Sequence, residues 1–229
     1  MDSDFTEQES WSSEDEKFDQ IYAAKIRKLS PFQWTPVRVA AEAAKLLVTA
    51  PGTRVLDIGC GPGKFCLVGA SLTDGHFVGI EQRADLAAAA RVAASALRLT
   101  NVEIVQGNVT NFAFANYDAF YLFNPFEENM DRGYRIDSAV PLSPMLFKKY
   151  NNHVAAQLGS MPIGTRVVTY AGYADEIPAC YDCASTLFQD ELKLWIKQGA
   201  FDPAIEALGL GPSRSYRGPS GWAPPRARP

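Results

Sequence analysis

Residues 54–64 read RVLDIGCGPGK. A short β-branched run, Arg54–Ile58, opens directly into three alternating glycines, Gly59, Gly61 and Gly63. Pro62–Leu72 follows, expected as a helix. That order describes a strand turning sharply into a helix. Glycines let such a turn pass beneath a ligand with no Cβ in the way. The helix behind them presents unpaired N–H groups to whatever lies there. One glycine suffices for a tight turn, so three in alternation ask for a further reason. Asp57 stands two residues before the first glycine. Glu81 closes the next apolar run, 18 residues after Gly63. A carboxylate at that place can accept hydrogen bonds from two ribose hydroxyls.

The alternation continues down the chain. His76–Ile80, Val102–Val105, Tyr117–Phe123 and Thr165–Tyr170 read as further strands, and Ala84–Leu99 and a stretch near Ser143–Leu158 as helices. The alanines within Leu86–Leu97 make a face that can approach a sheet closely. Thr186–Phe188 and Leu192–Lys197 flank Gln189-Asp190-Glu191 and read as a hairpin. Strands alternating with helices build a mostly parallel sheet covered on both faces. The hairpin adds an antiparallel edge. The expected fold is α/β and doubly wound, with a mostly parallel seven-stranded sheet and an antiparallel C-terminal hairpin. In such sheets ligands sit beyond the carboxyl ends of the strands. Ahead of the sheet, residues 14–29 carry apolar side chains at helical spacing, ended by Ser30-Pro31. The aromatic loop PFQWTP follows. Thr35 then reads as N-cap, and Pro36 as first residue, of a helix reaching Val48.

Composition divides the chain in three. Eight acids and one base fall in residues 1–19, and four arginines with no acid in 210–229. With a net charge of -4 overall, the body between them is close to neutral. Residues 1–19 are expected as an acidic flexible N-terminus and 201–229 as a flexible tail rich in Pro, Gly and Arg. Residues 20–200 then hold one domain with an N-terminal helical extension. A neutral body lacks the clustered Lys and Arg that long duplex nucleic acid requires. No apolar run reaches the ~18–20 residues that span a bilayer. Four cysteines do not make a disulfide scaffold. The expectation is a cytoplasmic, reduced protein with no membrane partner.

Two cofactor classes share this architecture. A dinucleotide fingerprint, G-x-G-x-x-G, counted from Gly59, needs a glycine where this chain has Lys64. A side chain there disturbs helix–strand packing. The sequence instead gives an acid followed by G-x-G-x-G. That spacing resembles motif I of the class I S-adenosylmethionine-dependent methyltransferases, a Rossmann-like family. The resemblance covers roughly residues 30–200. It implies S-adenosylmethionine as cofactor, with Asp57, Gly59, Cys60, Gly61 and Gly63 around its amino-acid and ribose portions and Glu81 on the ribose. Gln82, Asn108 and Val109 would frame the adenine. Gly107-Asn108 also suits a plain turn. Phe32, Trp34 and Thr35 resemble pre-motif loops that fold over the cofactor's methionine end. They would equally staple the N-terminal helix to the core.

After the fourth strand comes Phe123-Asn124-Pro125-Phe126. It looks like a shortened relative of the Asn-Pro-Pro-aromatic motif of amino-methylating enzymes, with one proline in place of two. The resemblance implies that Asn124, Pro125 and Phe126 position the acceptor nitrogen, with Asn124 also bordering the cofactor. The expected reaction is methyl transfer to an amine or amide nitrogen of a protein side chain or small molecule. Glu127 and Glu128 can bind a cationic substrate or serve as solvated loop charges. The rival readings are an NAD(P)-dependent oxidoreductase and a non-catalytic cofactor-binding scaffold. No metal site is expected. Cys180 and Cys183 have CxxC spacing, but Cys60 and Cys66 belong to the glycine segment and cannot complete a set of four. His76 and His153 have no evident orienting partner.

Overall fold

A computed structural model describes residues 13–207, apart from 132, 134 and 173. The chain outside them, including most of the acidic head and the arginine tail, lies beyond the described residues. Helices and strands follow in the order α1 (13–19), α2 (Ala24–Arg27), α3 (Ser30–Gln33), α4 (Val37–Leu47), β1 (Arg54–Ile58), α5 (Lys64–Leu72), β2 (His76–Glu81), α6 (Ala84–Ala96) and β3 (Val102–Gln106). Then come β4 (Ala119–Leu122), α7 (Pro144–Ser160), β5 (Arg166–Tyr170), β6 (Tyr181–Leu187), β7 (Leu192–Lys197) and α8 (Pro203–Ala207).

The seven strands form one sheet in the order β3-β2-β1-β4-β5-β7-β6. The first five are parallel, and β7 runs antiparallel to both β5 and β6. The Rossmann-like doubly wound arrangement expected from the sequence is the one observed. Its central strands read as near-continuous apolar runs because both faces are covered. All four residues of β4 are buried, as are Val55–Ile58 of β1. Helices α4, α5 and α6 pack on one face with Val39, Leu47, Phe65, Ala87 and Ala90. Helix α7 covers the other with Tyr150, Val154 and Leu158. The small side chains of α6 do what their spacing suggests, since Ala87, Ala90 and Ala93 are wholly buried.

Several boundaries differ from the sequence expectation. The helix expected over 14–29 is two helices, broken after Asp19 and resumed at Ala24. Pro31 does not leave a loop behind it but sits in the first turn of the short α3, a position where its missing N–H costs nothing. Thr35 does not cap α4; Pro36 is the N-cap, with no side-chain cap bond. The hairpin's first strand starts at Tyr181 rather than Thr186. Phe188, Gln189 and Asp190 all lie at positive φ, which makes Phe188 part of the turn. Residues 13–19 were expected to be flexible but are helical, and 201–207 carry α8, with Phe201 packed on Gly159 of α7. No helix among the described residues is long and apolar enough to cross a membrane.

Candidate active site

The sheet order reverses direction between β1 and β4, so the carboxyl ends of β1, β2 and β4 open onto one crevice. Gly59, Gly61 and Gly63 all adopt positive φ, at 77°, 55° and 82°. Each answers a different need. A Cβ on Gly59 would lie 2.9 Å from the Pro125 Cβ, so the turn and the loop after β4 touch because Gly59 is bare. A Cβ on Gly63 would meet Ala90 of α6 at 3.0 Å. Gly61 faces open space. The turn is tied to β2, because the Gly59 and Cys60 N–H groups both donate to the Ile80 carbonyl at 3.0 Å. Gly61 N–H donates to Glu81 Oε2 at 3.0 Å, and Arg83 N–H to Glu81 Oε1 at 2.8 Å. Two backbone donors therefore aim the Glu81 carboxylate, while burial raises its pKa.

Asp57 is 4% exposed at the end of β1. The Cys66 thiol donates to its Oδ2 at 3.4 Å. Burial pushes its carboxyl up to about 7, opposed by that thiol and helped by the nearby Glu81. Burial also pushes both the Cys60 and Cys66 thiols up, which makes them packing groups rather than nucleophiles. Asp57 and Cys60 line a small polar niche beside the crevice with Trp34, Thr35, Lys64 and Tyr121.

The niche is walled by the N-terminal segment. Lys64 of α5 is 3% exposed at its side chain and pairs with Asp15 and, at 2.8 Å, with Asp19. Its ammonium also lies 5.7 Å from the ring centroids of Phe18 and Trp34. Asp15 accepts from Val37 N–H at 2.9 Å, and Tyr22 donates to the Pro62 carbonyl at 3.0 Å. Thr35 Oγ1 and the Tyr121 hydroxyl lie 2.8 Å apart. These contacts seat the PFQWTP segment against the glycine turn, and Leu29, Gln33 and Trp34 line the crevice. The buried Trp34 Nε1 has no hydrogen-bond partner among the described residues. Phe32 lies within α3, and its side chain is outside the described residues.

The opposite wall is the loop after β4. Asn124 sits at φ 40°, a left-handed conformation that asparagine tolerates better than most residues. Its side chain fills the space a Cβ on Gly172 would need: the Asn124 Oδ1 lies 1.8 Å from that position. The amide has no hydrogen-bond partner among the described residues. Phe126 is buried, with its ring 5.3 Å from that of Tyr150. Arg83 donates twice to Glu128, at 3.0 and 2.8 Å, and once to Asp137 at 3.0 Å. Glu128 also accepts from Ile136 N–H at 2.9 Å. This network draws Ile136, Val140 and Leu142 into the crevice wall.

A protein-family profile described as a methyltransferase domain matches residues 49–134, which hold the glycine turn, Glu81 and the Asn124 loop. Over those residues the chain is similar to a methyltransferase domain. No curated protein sequence matches it. Among solved structures, the chain is similar to an RNA methyltransferase from Salinibacter ruber in complex with S-adenosyl-L-homocysteine. Identity is 19%, the TM-score 0.52, and the match covers 74% of this chain and 97% of that one. It is also similar to TrmN from Thermus thermophilus, at 17% identity and TM-score 0.54, over 76% of this chain and 52% of the other. A third similar fold is a mutant of MtNAS in complex with S-adenosylmethionine, at 16% identity and TM-score 0.53, over 86% and 76%. At these identities the likeness is one of fold.

The crevice gathers Trp34, Gly59, Gly61, Glu81, Gln82, Val109, Asn124, Pro125 and Phe126. Thr35, Asp57 and Cys60 border the adjoining niche. Gly63 is instead a packing glycine, and Asn108 is turned to structural use. Asn108 donates to Gln82 Oε1 at 3.0 Å and to the Tyr150 hydroxyl at 2.9 Å, and its Oδ1 accepts from the Thr110 N–H and hydroxyl. With its amide occupied on both sides, it holds Gln82 rather than facing the crevice. Glu128 is an Arg83 partner rather than a free acid. Lys64, Arg83 and the 136–142 wall were not anticipated from the sequence. The signal for Lys64 was present, since Asp15 and Asp19 lie four apart on one face of α1. His153 packs edge-on against Phe114, away from the crevice lining. Cys180 and Cys183 form no disulfide among the described residues, and no group of His, Cys, Asp or Glu among them is arranged to hold a metal.

Proposed function

We propose that the chain transfers a methyl group from S-adenosylmethionine to a nitrogen acceptor, an amine or amide of a small molecule or exposed protein side chain. One observation carries this reading. A glycine turn closed by the anchored Glu81 faces, across a single crevice, an Asn124 amide with no partner among the described residues. The residues present fit the cofactor. Gly61 leaves open space above the turn, the anchored Glu81 carboxylate could accept from ribose hydroxyls, and the Trp34 N–H, unpartnered among the described residues, belongs to a side chain that lines the same niche as Asp57. S-adenosylhomocysteine or S-adenosylmethionine in two of the similar folds supports the same choice.

When bound, S-adenosylmethionine supplies a sulfonium methyl that is already electrophilic. The chain must then bind, orient and exclude water. Gly59–Gly63 and Asp57 would hold the amino-acid portion, Glu81 the ribose hydroxyls, and Gln82 and Val109 the adenine. Trp34 and Thr35 close the methionine end. Asn124 Oδ1 would accept a hydrogen bond from the acceptor N–H and direct the nitrogen lone pair, which is catalysis by position. Leu29, Ile136, Val140 and Leu142 make the apolar wall that keeps water out. Lys64, standing where a dinucleotide fingerprint has glycine, is committed to Asp15 and Asp19. The near-neutral body favours these acceptors over long duplex nucleic acid.

Calorimetric titration with S-adenosylmethionine, S-adenosylhomocysteine and NADH tests the reading. Micromolar binding of the two sulfur ligands, weakened in Glu81→Ala, is expected. Absence of both would return the chain to the dinucleotide and scaffold alternatives.

A further inference from the structure

The loop after β4 carries four acids, Glu127, Glu128, Asp131 and Asp137, and the structure treats them unequally: Asp137 is an Arg83 partner at 3.0 Å. Glu128 takes three hydrogen bonds, two from Arg83 and one from Ile136 N–H. Asp131 accepts from Gly133 N–H at 2.7 Å. The half-buried Glu127 carboxylate has neither a hydrogen bond nor an ion pair among the described residues. It lies three residues beyond Asn124, and both line the crevice. Both also line a second, smaller recess behind the loop, whose further walls are Phe147, Asn151, Asp175 and Glu176. The Asn124–Glu127 segment is therefore a partition bordered by space on both sides.

Among the described residues, no lysine, arginine or histidine lines that recess. Arg83 is the one cation lining the crevice among the described residues, and Glu128 and Asp137 already occupy it. Burial, then Asp131 and Asp175, raises the Glu127 carboxyl, and burial with Asp175 pushes Glu176 up to about 7. A positive ligand group relieves this repulsion; a neutral nucleobase or amide does not. An aliphatic amine carries that charge at neutral pH but then has no lone pair to donate. An asparagine amide can orient it but cannot take its proton.

We propose that the methyl acceptor is a protonated aliphatic amine and that Glu127 is the catalytic base that binds and deprotonates it. The inference rests on the methyl-transfer reading above. The ammonium N–H bond breaks, and its proton passes to the Glu127 carboxylate. The freed nitrogen lone pair forms the new C–N bond as the methyl carbon–sulfur bond breaks, and that bonding pair stays on sulfur as a neutral thioether. The product is the methylated ammonium, and Glu127 releases the proton to solvent.

Two measurements test it. First, spermidine, n-butylamine and adenosine are titrated into the full chain saturated with S-adenosylhomocysteine. The two cationic probes should bind and adenosine should not. Glu127→Gln should weaken spermidine at least tenfold and leave S-adenosylhomocysteine affinity unchanged, which also reports that the variant folds. Second, label is followed from S-adenosylmethionine to each probe across pH. Glu127→Gln should lower kcat on the amines about 100-fold near pH 7. The loss should shrink at high pH, where free amine is supplied by solution. Failure of both cationic probes to bind, methylation of adenosine alone, or an unchanged pH profile in Glu127→Gln overturns the proposal while leaving methyl transfer standing. Failure to bind either sulfur ligand removes both.

Discussion

Asn124 owes its place to a residue 48 positions later. Its left-handed backbone turns the amide into the space that Gly172, at φ 78°, leaves open after β5. Gly172→Ala puts a methyl group where the Asn124 oxygen lies and strains its own backbone by about 1 kcal/mol. The expected outcome is a fall in methyl-transfer rate of at least tenfold with S-adenosylhomocysteine affinity nearly unchanged, read by paired kinetics and calorimetry. Asp57 answers to pH instead. Its folded pKa of about 7 lies above its ordinary value, so the folded state holds a proton that the unfolded chain has lost. Asp57 thus costs no stability in acid, and the penalty grows as pH rises toward 7 and is complete above it. Asp57→Asn should melt higher than the parent at pH 8, with the difference vanishing near pH 4. An ammonium placed beside Asp57 favours its ionised form. S-adenosylhomocysteine binding near pH 6.5 should therefore release a proton, seen as a buffer-dependent binding enthalpy, and Asp57→Asn should abolish that release.

At the scale of elements, the parallel sheet was legible because its strands are short apolar runs, most of them rich in β-branched residues, each followed by a turn or helix signal. The glycine turn was legible because its chemistry is local. What escaped was pairing across distance. The acids of α1 looked like a solvated run, since their partner, Lys64, is 45 to 49 residues away and buried. The bonds from Asn108 to Gln82 and Tyr150 were not visible because nothing nearby in sequence announces either partner. The hairpin start was misplaced because Asp182–Leu187 is exposed on both faces and so shows no alternation. Lys64→Met tests the docking of α1 through α3. It removes one member of a buried ionic cluster and leaves Asp19 uncompensated, at a cost of about 3 kcal/mol. Hydrogen exchange should quicken across residues 13–36, and cofactor affinity should drop because Trp34 loses its backing.

For the whole molecule, the reversal of strand order between β1 and β4 puts the ends of three strands on one crevice, and two separate segments roof it. One is the N-terminal segment held by Lys64, and the other is 126–142 held by Arg83. A ligand that touches both roofs and the strand ends joins parts of the chain that otherwise open separately. S-adenosylhomocysteine at a hundredfold excess over its Kd should therefore add about 2.7 kcal/mol to unfolding. NADH at the same concentration should add nothing measurable in a thermal melt.

The bond between Thr35 and Tyr121 also sets an order in time. The segment that walls the crevice leaves the ribosome before one of its anchors, which lies 86 residues downstream on β4. A nascent chain that has exposed the glycine turn still has no finished pocket. The bonds to Lys64 and Pro62 can form earlier, but the Thr35 anchor waits until the centre of the sheet arrives. The cofactor therefore cannot template the early stages of synthesis and meets its binding site only when the fold is nearly whole.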